Sequence, residues 1–249
     1  MPNKMKRSKL ISIVSLLVLG GGAGFFIWKY DGLAKLHASS FTKVASQGNE
    51  PADGLVGLWS FDGSDISGAT LLDRSGLGNN GILPDSPTLT RGKVGQALEF
   101  DGVDDYVKVP NTPSLDFGTG DFTISVWVNL KSAGHFIFGG KFDLHFDEGN
   151  TVLDFRKPEG TEVSSLKVPS TGEWTHIVIR RKNGTLQYFF NATPDASMID
   201  NDDFNGTSDL FFGSRNEHRD FLSGKMDEVR IYNRALSEEE IEKLYRLNG

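Results

Sequence analysis

The sequence predicts an all-β fold, an antiparallel sandwich or barrel, preceded by one transmembrane helix and closed by a short C-terminal helix. Three observations carry this expectation. From Leu55 to Tyr232, short runs rich in Val, Ile, Phe, Tyr, Trp and Thr are separated by clusters of Gly, Asn, Asp and Pro, the pattern of strands joined by turns. Leu10 to Trp28 forms a stretch of 19 residues without a charge. Near the end, Ser237 and Glu240 have the spacing of a helix cap, and an apolar stripe follows.

The N-terminal segment comes first. Lys4, Lys6, Arg7 and Lys9 crowd residues 1–9, and Lys29 follows the uncharged stretch. A helix over residues 10–28 would be about 28 Å long at ~1.5 Å per residue, close to the ~30 Å hydrocarbon core of a bilayer. The competing reading is a cleaved signal peptide, whose apolar region is normally about 7–15 residues long. Here the stretch is longer and ends in Phe25, Phe26, Ile27 and Trp28, and a terminal Trp suits a membrane interface. Basic residues ahead of the span place residues 1–9 in the cytoplasm and the remainder outside it, periplasmic or extracellular. Residues 29–54, with Ser39, Ser40, Ser46, Gly48, Asn49 and Pro51, lack apolar periodicity and suit a flexible spacer.

Residues 55–249 form the expected domain. Phe122, Ile124, Val126 and Val128 fall on one face of a strand, with Thr123, Ser125, Trp127 and Asn129 on the other. Asn183-Gly184, between the runs Trp174–Arg181 and Leu186–Phe190, favours a tight hairpin turn with positive φ. The same turn chemistry accounts for the sequon-like Asn183-Gly184-Thr185, Asn191-Ala192-Thr193 and Asn205-Gly206-Thr207. A helix is expected from about residue 238 to 246. Ser237 and Glu240 form its capping box, Leu236 and Ile241 its hydrophobic staple, and Ile241, Leu244 and Tyr245 its docking face.

Composition removes whole classes of function. With no cysteine in 249 residues, disulfide scaffolds and cysteine zinc sites are excluded. A balance of 33 Asp and Glu against 26 Lys and Arg provides no footprint for phosphate backbones, so nucleic acid is not an expected partner. The chain has no Gly-x-Ser-x-Gly, phosphate loop or His-Glu-x-x-His. Asp143-Leu144-His145-Phe146-Asp147-Glu148 has carboxylates and a His, but Asp143, His145 and Asp147 match the ordinary polar side of a strand opposite Leu144 and Phe146. The five histidines, at 37, 135, 145, 176 and 218, show no metal-binding spacing.

Several stretches together carry a family resemblance. Leu58-Trp59-Ser60-Phe61-Asp62, Asp73-Arg74-Ser75-Gly76-Leu77-Gly78-Asn79-Asn80-Gly81 and Gly95 to Val107 are followed by Asp121 to Val128, Glu173 to Val178 and Gly224 to Ser237. In this order they resemble the laminin G-like, concanavalin A-like jelly-roll family over residues 55–247. The resemblance implies two curved antiparallel sheets, often a bound calcium ion, and usually a recognition role.

Calcium takes six to eight oxygen ligands, usually gathered from loops. If the first strand runs antiparallel to the last, Asp62 lies near Asp227, and the loop from Asp73 to Gly81 supplies Asp73 and Asn79. The competing reading has Asp62 and Asp227 capping turns or pairing with Arg74 or Arg230. Asp227 alternates with Val229 and Ile231, which points it toward the core, where an unpaired charge is costly. Trp59 and Trp174 are expected in the core. Trp127 is either packed under a loop or presented as an aromatic plane, and Arg215 and His218 sit on a polar loop suited to recognition.

These readings converge on a non-enzymatic, single-pass membrane protein that displays a jelly-roll module outside the cytoplasmic membrane to bind carbohydrate or an extracellular protein. The alternative is an accessory subunit of a membrane complex, with Gly20, Gly21, Gly22 and Gly24 letting the span approach other helices. The full chain is expected to stay in the membrane pellet through an alkaline carbonate wash. A mature N-terminus near Ser39 would refute the anchor.

Overall fold

The computed structural model describes residues 50–84, 87–132, 136–147, 149–157 and 160–247. The expected span at 10–28 and most of the expected spacer lie outside these residues. Among the described residues no helix is long and apolar enough to cross a membrane. The compact unit begins at Glu50. Glu50 pairs with Arg230 at 2.9 Å and Asp53 with Arg234 at 3.3 Å, so the end of the expected spacer is bound to the sandwich.

The first strands are β1 (Leu55–Trp59), β2 (Ile66–Ser67), β3 (Thr70–Leu71), β4 (Gly81–Ile82), β5 (Thr88–Arg91) and β6 (Gln96–Asp101). Next come β7 (Val107–Val109), β8 (Phe122–Leu130), β9 (Phe136–Gly140), β10 (Asp143–Phe146), β11 (Leu153–Arg156) and β12 (Val163–Ser164). The last are β13 (Trp174–Lys182), β14 (Thr185–Phe190), β15 (Thr193–Ile199), β16 (Leu210–Phe212) and β17 (Ser223–Tyr232), followed by helix α1 (Glu238–Leu247). Sheet I has the order β15-β14-β13-β8-β17-β6-β5, with β1 also paired to β17, and sheet II the order β12-β11-β10-β9-β16-β7-β4-β3-β2. The two antiparallel sheets enclose one core, which is the expected sandwich.

Alternation decides what each face buries. Phe122, Ile124, Val126 and Val128 of β8 point into the core with Ile177 and Ile179 of β13. They meet Phe138, Leu144, Phe146, Leu153, Phe155 and Phe212 of sheet II. Trp59 is fully buried, packs edge-on against Phe212 at 5.0 Å and donates its indole N–H to the Asn79 carbonyl. Truncating such a side chain to Ala costs about 3–5 kcal/mol. The β13–β14 turn has Asn183 at φ 50° and Gly184 at φ 70°, with Lys182 opposite Thr185, as expected for Asn-Gly in a two-residue hairpin loop.

The first and last strands do pair, with Leu58 opposite Arg230 and Trp59 opposite Val229. One feature of β17 departs from simple alternation. The register breaks between Asp227 and Arg230, and Glu228 has φ 52°, a bulge that turns the strand over. Met226, Val229 and Ile231 therefore face the core. Asp227, opposite Trp127, faces away from it, which corrects the expectation that its carboxylate points inward.

The outer face of sheet I is covered by α1. Ser237 Oγ accepts the Glu240 N–H at 3.2 Å and Glu240 accepts the Ser237 N–H at 2.8 Å, closing the capping box. Leu236, Ile241 and Leu244 form a second small core with Val178, Phe189 and Tyr232. His176 is fully buried beneath the helix, 2.8 Å from Ser125 Oγ and stacked on Trp127. Burial, reinforced by the Arg230 charge, pushes its pKa down to about 3.

This sets a pH dependence. The unfolded imidazole titrates near 6.5, so the contribution of neutral His176 is whole above that pH and is lost as the pH falls toward 3, by up to about 1.4 kcal/mol per pH unit. His176→Gln should flatten stability between pH 6.5 and 5, where most carboxylates remain ionised. Denaturant titrations across that interval check it, and unchanged slopes would refute it.

Candidate functional site

The turn between β5 and β6 brings two of the expected metal ligands together. Asp62 Oδ1 accepts the Gln96 N–H and Asp227 Oδ2 accepts the Val94 N–H, each at 2.9 Å. Gly92 and Gly95 make this possible, because a Cβ at either position would collide with the Asp227 or Asp62 carboxylate, and Gly95 has φ 59°. Asp227 is fully buried, and its Oδ1 has no hydrogen-bond partner. Burial pushes its pKa up to about 8, against the backbone N–H groups that favour the charged form. A buried carboxylate with one orphaned oxygen, held by the same turn that also holds Asp62, has the oxygen chemistry that calcium takes.

Asp73 and Asn79 do not join them. Asp73 accepts the N–H groups of Leu58, Ser75 and Asn79 and the Ser75 hydroxyl. Asn79 donates to the Val56 carbonyl and accepts from Thr112. Both are occupied in pinning their loop to β1. Among the described residues Asp62, Asp73 and Asp227 form no group close enough to share one ion. The expected four-residue calcium set reduces to Asp62 and Asp227.

The expected ligand-binding residues also separate. Trp127 is 1% exposed and in a cluster of three rings, 5.0 Å from His176 and 5.6 Å from Tyr245, which are 6.1 Å from each other, with Lys93 Nζ 4.5 Å from its ring. It is packed under α1 and the β5–β6 turn, not displayed, because the face opposite the core of β8 is itself covered. Arg215 lies 5.4 Å over the Phe136 ring. His218 is exposed on the following loop, its N–H held by Asn216 Oδ1.

Arg215 leads to a site that strand alternation alone did not reveal. On the outer face of sheet II, His145 lies opposite Phe136 on one side and Asp154 on the other, and Asp143 lies opposite Arg156. Phe136 and His145 stack at 4.6 Å. Arg156 Nε is 3.6 Å from Asp143, and its Nη1 is 3.2 Å from Glu162. Burial raises the Asp143 pKa against the pull of Arg156, and burial together with Arg156 lowers that of His145. His145 Nδ1, Asp154 Oδ1 and Arg156 Nε are buried without hydrogen-bond partners. Asp143 and His145 are therefore not an ordinary solvated strand face. The signal was the pair Asp154 and Arg156 with the same two-residue spacing, but only the β10–β11 register sets them opposite Asp143 and His145.

A concavity of ≈ 290 Å³ opens where β13 begins and β14 ends, lined by Pro169, Ser170, Glu173, Trp174, Phe190 and Asn191 among others. Trp174, expected in the core, is only partly buried at its rim.

In this two-sheet sandwich α1 packs on the middle of the outer face of sheet I, and a polar, ring-bordered patch lies on that of sheet II. The family model of the concanavalin A-like lectin/glucanases superfamily matches residues 101–242, and the chain belongs to this family. Domain 4 of AbnA, a GH43 extracellular arabinanase from Geobacillus stearothermophilus solved with arabinotriose, is 24% identical. It aligns with TM-score 0.61 over 77% of this chain and 98% of that one. The binding domain of Paraclostridial Mosquitocidal Protein 1 is 18% identical, with TM-score 0.63 over 78% of this chain and 52% of that one. The binding domain of Botulinum Neurotoxin DC, solved with SialylT, is 13% identical, with TM-score 0.62 over 80% and 52%. The chain thus spans about half the length of the two toxin structures, and these likenesses are ones of fold. No curated protein sequence matches significantly.

Proposed function

We propose that the chain is a membrane-anchored, extracytoplasmic, non-enzymatic binding module for carbohydrate, and that it engages its ligand with the outer face of sheet II. The observation that carries this is the half-buried pairing of Asp143 with Arg156, bordered by Glu162 and Arg215, in which Arg156 Nε lacks a hydrogen-bond partner. Carboxylates accept from sugar hydroxyls and guanidinium groups donate to them, and such charge-assisted bonds are the stronger kind. Two of the fold's neighbours were solved with bound saccharide, arabinotriose for AbnA domain 4 and SialylT for the neurotoxin domain, which supports the ligand class. The uncharged stretch at residues 10–28 supports the anchor.

We also propose a structural calcium ion held by Asp62 and Asp227 with carbonyls of the Gly92–Gln96 turn. It would keep Asp227 ionised and tie β1, β6 and β17 together. The orphaned Asp227 Oδ1 supports this.

Two outcomes are expected. The full chain should bind a subset of glycans on an array without altering them, and Arg156→Ala should weaken binding about 10- to 100-fold, the loss of a hydrogen bond worth about 1.5–3 kcal/mol. Undiminished binding by that variant, or cleavage abolished by Asp143→Asn, would overturn the reading. Chelation should lower the melting temperature by about 5–11 °C, if free calcium is about one hundred times its Kd. Asp227→Asn should remove this sensitivity, while Asp73→Asn should destabilise the loop yet leave the calcium response intact. Identical melting curves with calcium and EDTA would refute the ion.

A further inference from the structure

The outer face of sheet II carries a second arrangement, made of different atoms from the Asp143–Arg156 pair. His145 on β10 and Asp154 on β11 are directly opposite in register, so their side chains stand side by side on one face. Glu162 enters from the residue ahead of β12, with its Oε1 3.6 Å from His145 Nε2. One ligand atom from each of the three lies within 4.8 Å of the others. Asp154 is only 5% exposed, and its Oδ1 is among the buried atoms without a hydrogen-bond partner, as is His145 Nδ1. A carboxylate this deeply buried is expensive to leave unpaired, and an unsatisfied oxygen of this kind calls for a partner such as an ion. Arg156 does not supply it. The guanidinium is two residues along the same strand, but its ion pairs run to Asp143 and Glu162.

We propose that His145, Asp154 and Glu162 form a three-ligand site for a divalent transition metal, with zinc as the best-matched ion. The ligand set decides the class of metal. One imidazole nitrogen and two carboxylate oxygens suit zinc and its neighbours, whereas calcium and magnesium take oxygen alone. Three protein ligands leave zinc at least one open position. Glu162 is the exposed member, so it can leave Arg156 for the ion while Arg156 keeps Asp143. The five histidines have no metal spacing along the chain because only one of them takes part, and its partners arrive through strand pairing, 9 and 17 residues away. This site is independent of the calcium position at Asp62 and Asp227, and it shares only Glu162 with the border of the proposed carbohydrate patch.

The test uses zinc alone, added to the purified full chain at neutral pH with excess calcium present to occupy the oxygen-only site. Isothermal titration should show one saturable equivalent of zinc, with a rise in melting temperature. Cobalt in its place should give a visible d–d absorption band whose intensity reports a coordination number below six. His145→Ala should abolish both, and Glu162→Gln, a change at an exposed residue that leaves the fold intact, should weaken zinc binding at least 10-fold. Asp143→Asn should retain it. Absence of saturable zinc binding by the unmodified chain would overturn the proposal, as would undiminished binding by both His145→Ala and Glu162→Gln. Loss of zinc binding with glycan binding retained would separate this site from the carbohydrate face.

Discussion

Strand β17 is the spine of sheet I, and the positive φ of Glu228 lets it serve two neighbours along one edge, β6 as far as Met226 and β1 from Val229 onward. A bulge inserts a residue without a partner, so the strand resumes its alternation on the opposite face. The core positions Met226, Val229 and Ile231 depend on that break, and so does the outward turn of Asp227. The bulge is held from both sides. Arg230, buried, bonds the Glu228 carbonyl, pairs with the Glu228 carboxylate at 2.7 Å and takes Glu50 in a two-pronged contact. Glu50, where the compact unit begins, is thereby clamped to its last strand.

Two consequences follow for the surfaces. Once Asp227 and Trp127 face outward together, they must be covered, and the β5–β6 turn and α1 cover them. The turn approaches through Gly92 and Gly95, and the helix through Tyr245, stacked on Trp127. The helix is too short to be stable alone. Its reciprocal cap, worth about 1 kcal/mol, and its burial of Ile241 and Leu244 hold it in place. The middle of sheet I is thus covered on both faces, while its edge strands β15 and β5 stay largely exposed. Among the described residues no α-helix packs on sheet II, and the loop after β16 reaches its outer face through Arg215 over Phe136 and Phe221 beside Tyr106 at 6.3 Å.

Much of this fold is legible in the sequence because it rests on local rules. The two-residue alternation of β8, the Asn183-Gly184 turn and the Ser237–Glu240 cap each depend on residues within a few positions of one another, and each sits where those residues imply. What could not be read is what depends on register across strands. Alternation identified the polar side of Asp143 and His145 but not the charges across from it. The bulge in β17 reversed the face of Asp227, since nothing local in Met226-Asp227-Glu228-Val229 requires a positive φ at a non-glycine residue. Asp73 and Asn79 have the oxygens a cation needs, but the nearer backbone N–H groups of their own loop and of β1 take them first.

The charged row on the outer face of sheet II is costly to the fold. Replacing a buried ion pair with apolar residues of similar volume is often neutral or stabilising, because desolvation consumes most of the Coulombic gain. Asp143, buried enough that its carboxyl is held above the usual range, and Arg156, with an unbonded Nε, are a poor solution for stability alone. Threonine or valine would satisfy the same strand positions. On the neighbouring strand β16 the outward position carries an apolar ring, Phe211, packed beside Tyr106 at 5.9 Å. On the strands β10 and β11 the outward positions instead carry groups whose hydrogen-bonding capacity the fold leaves partly unused. Buried polar atoms without partners also occur on sheet I, at Trp127, His176 and Asp227 among others, but there α1 and the β5–β6 turn close over them, whereas those of His145, Asp154 and Arg156 lie on a sheet face that no described helix covers.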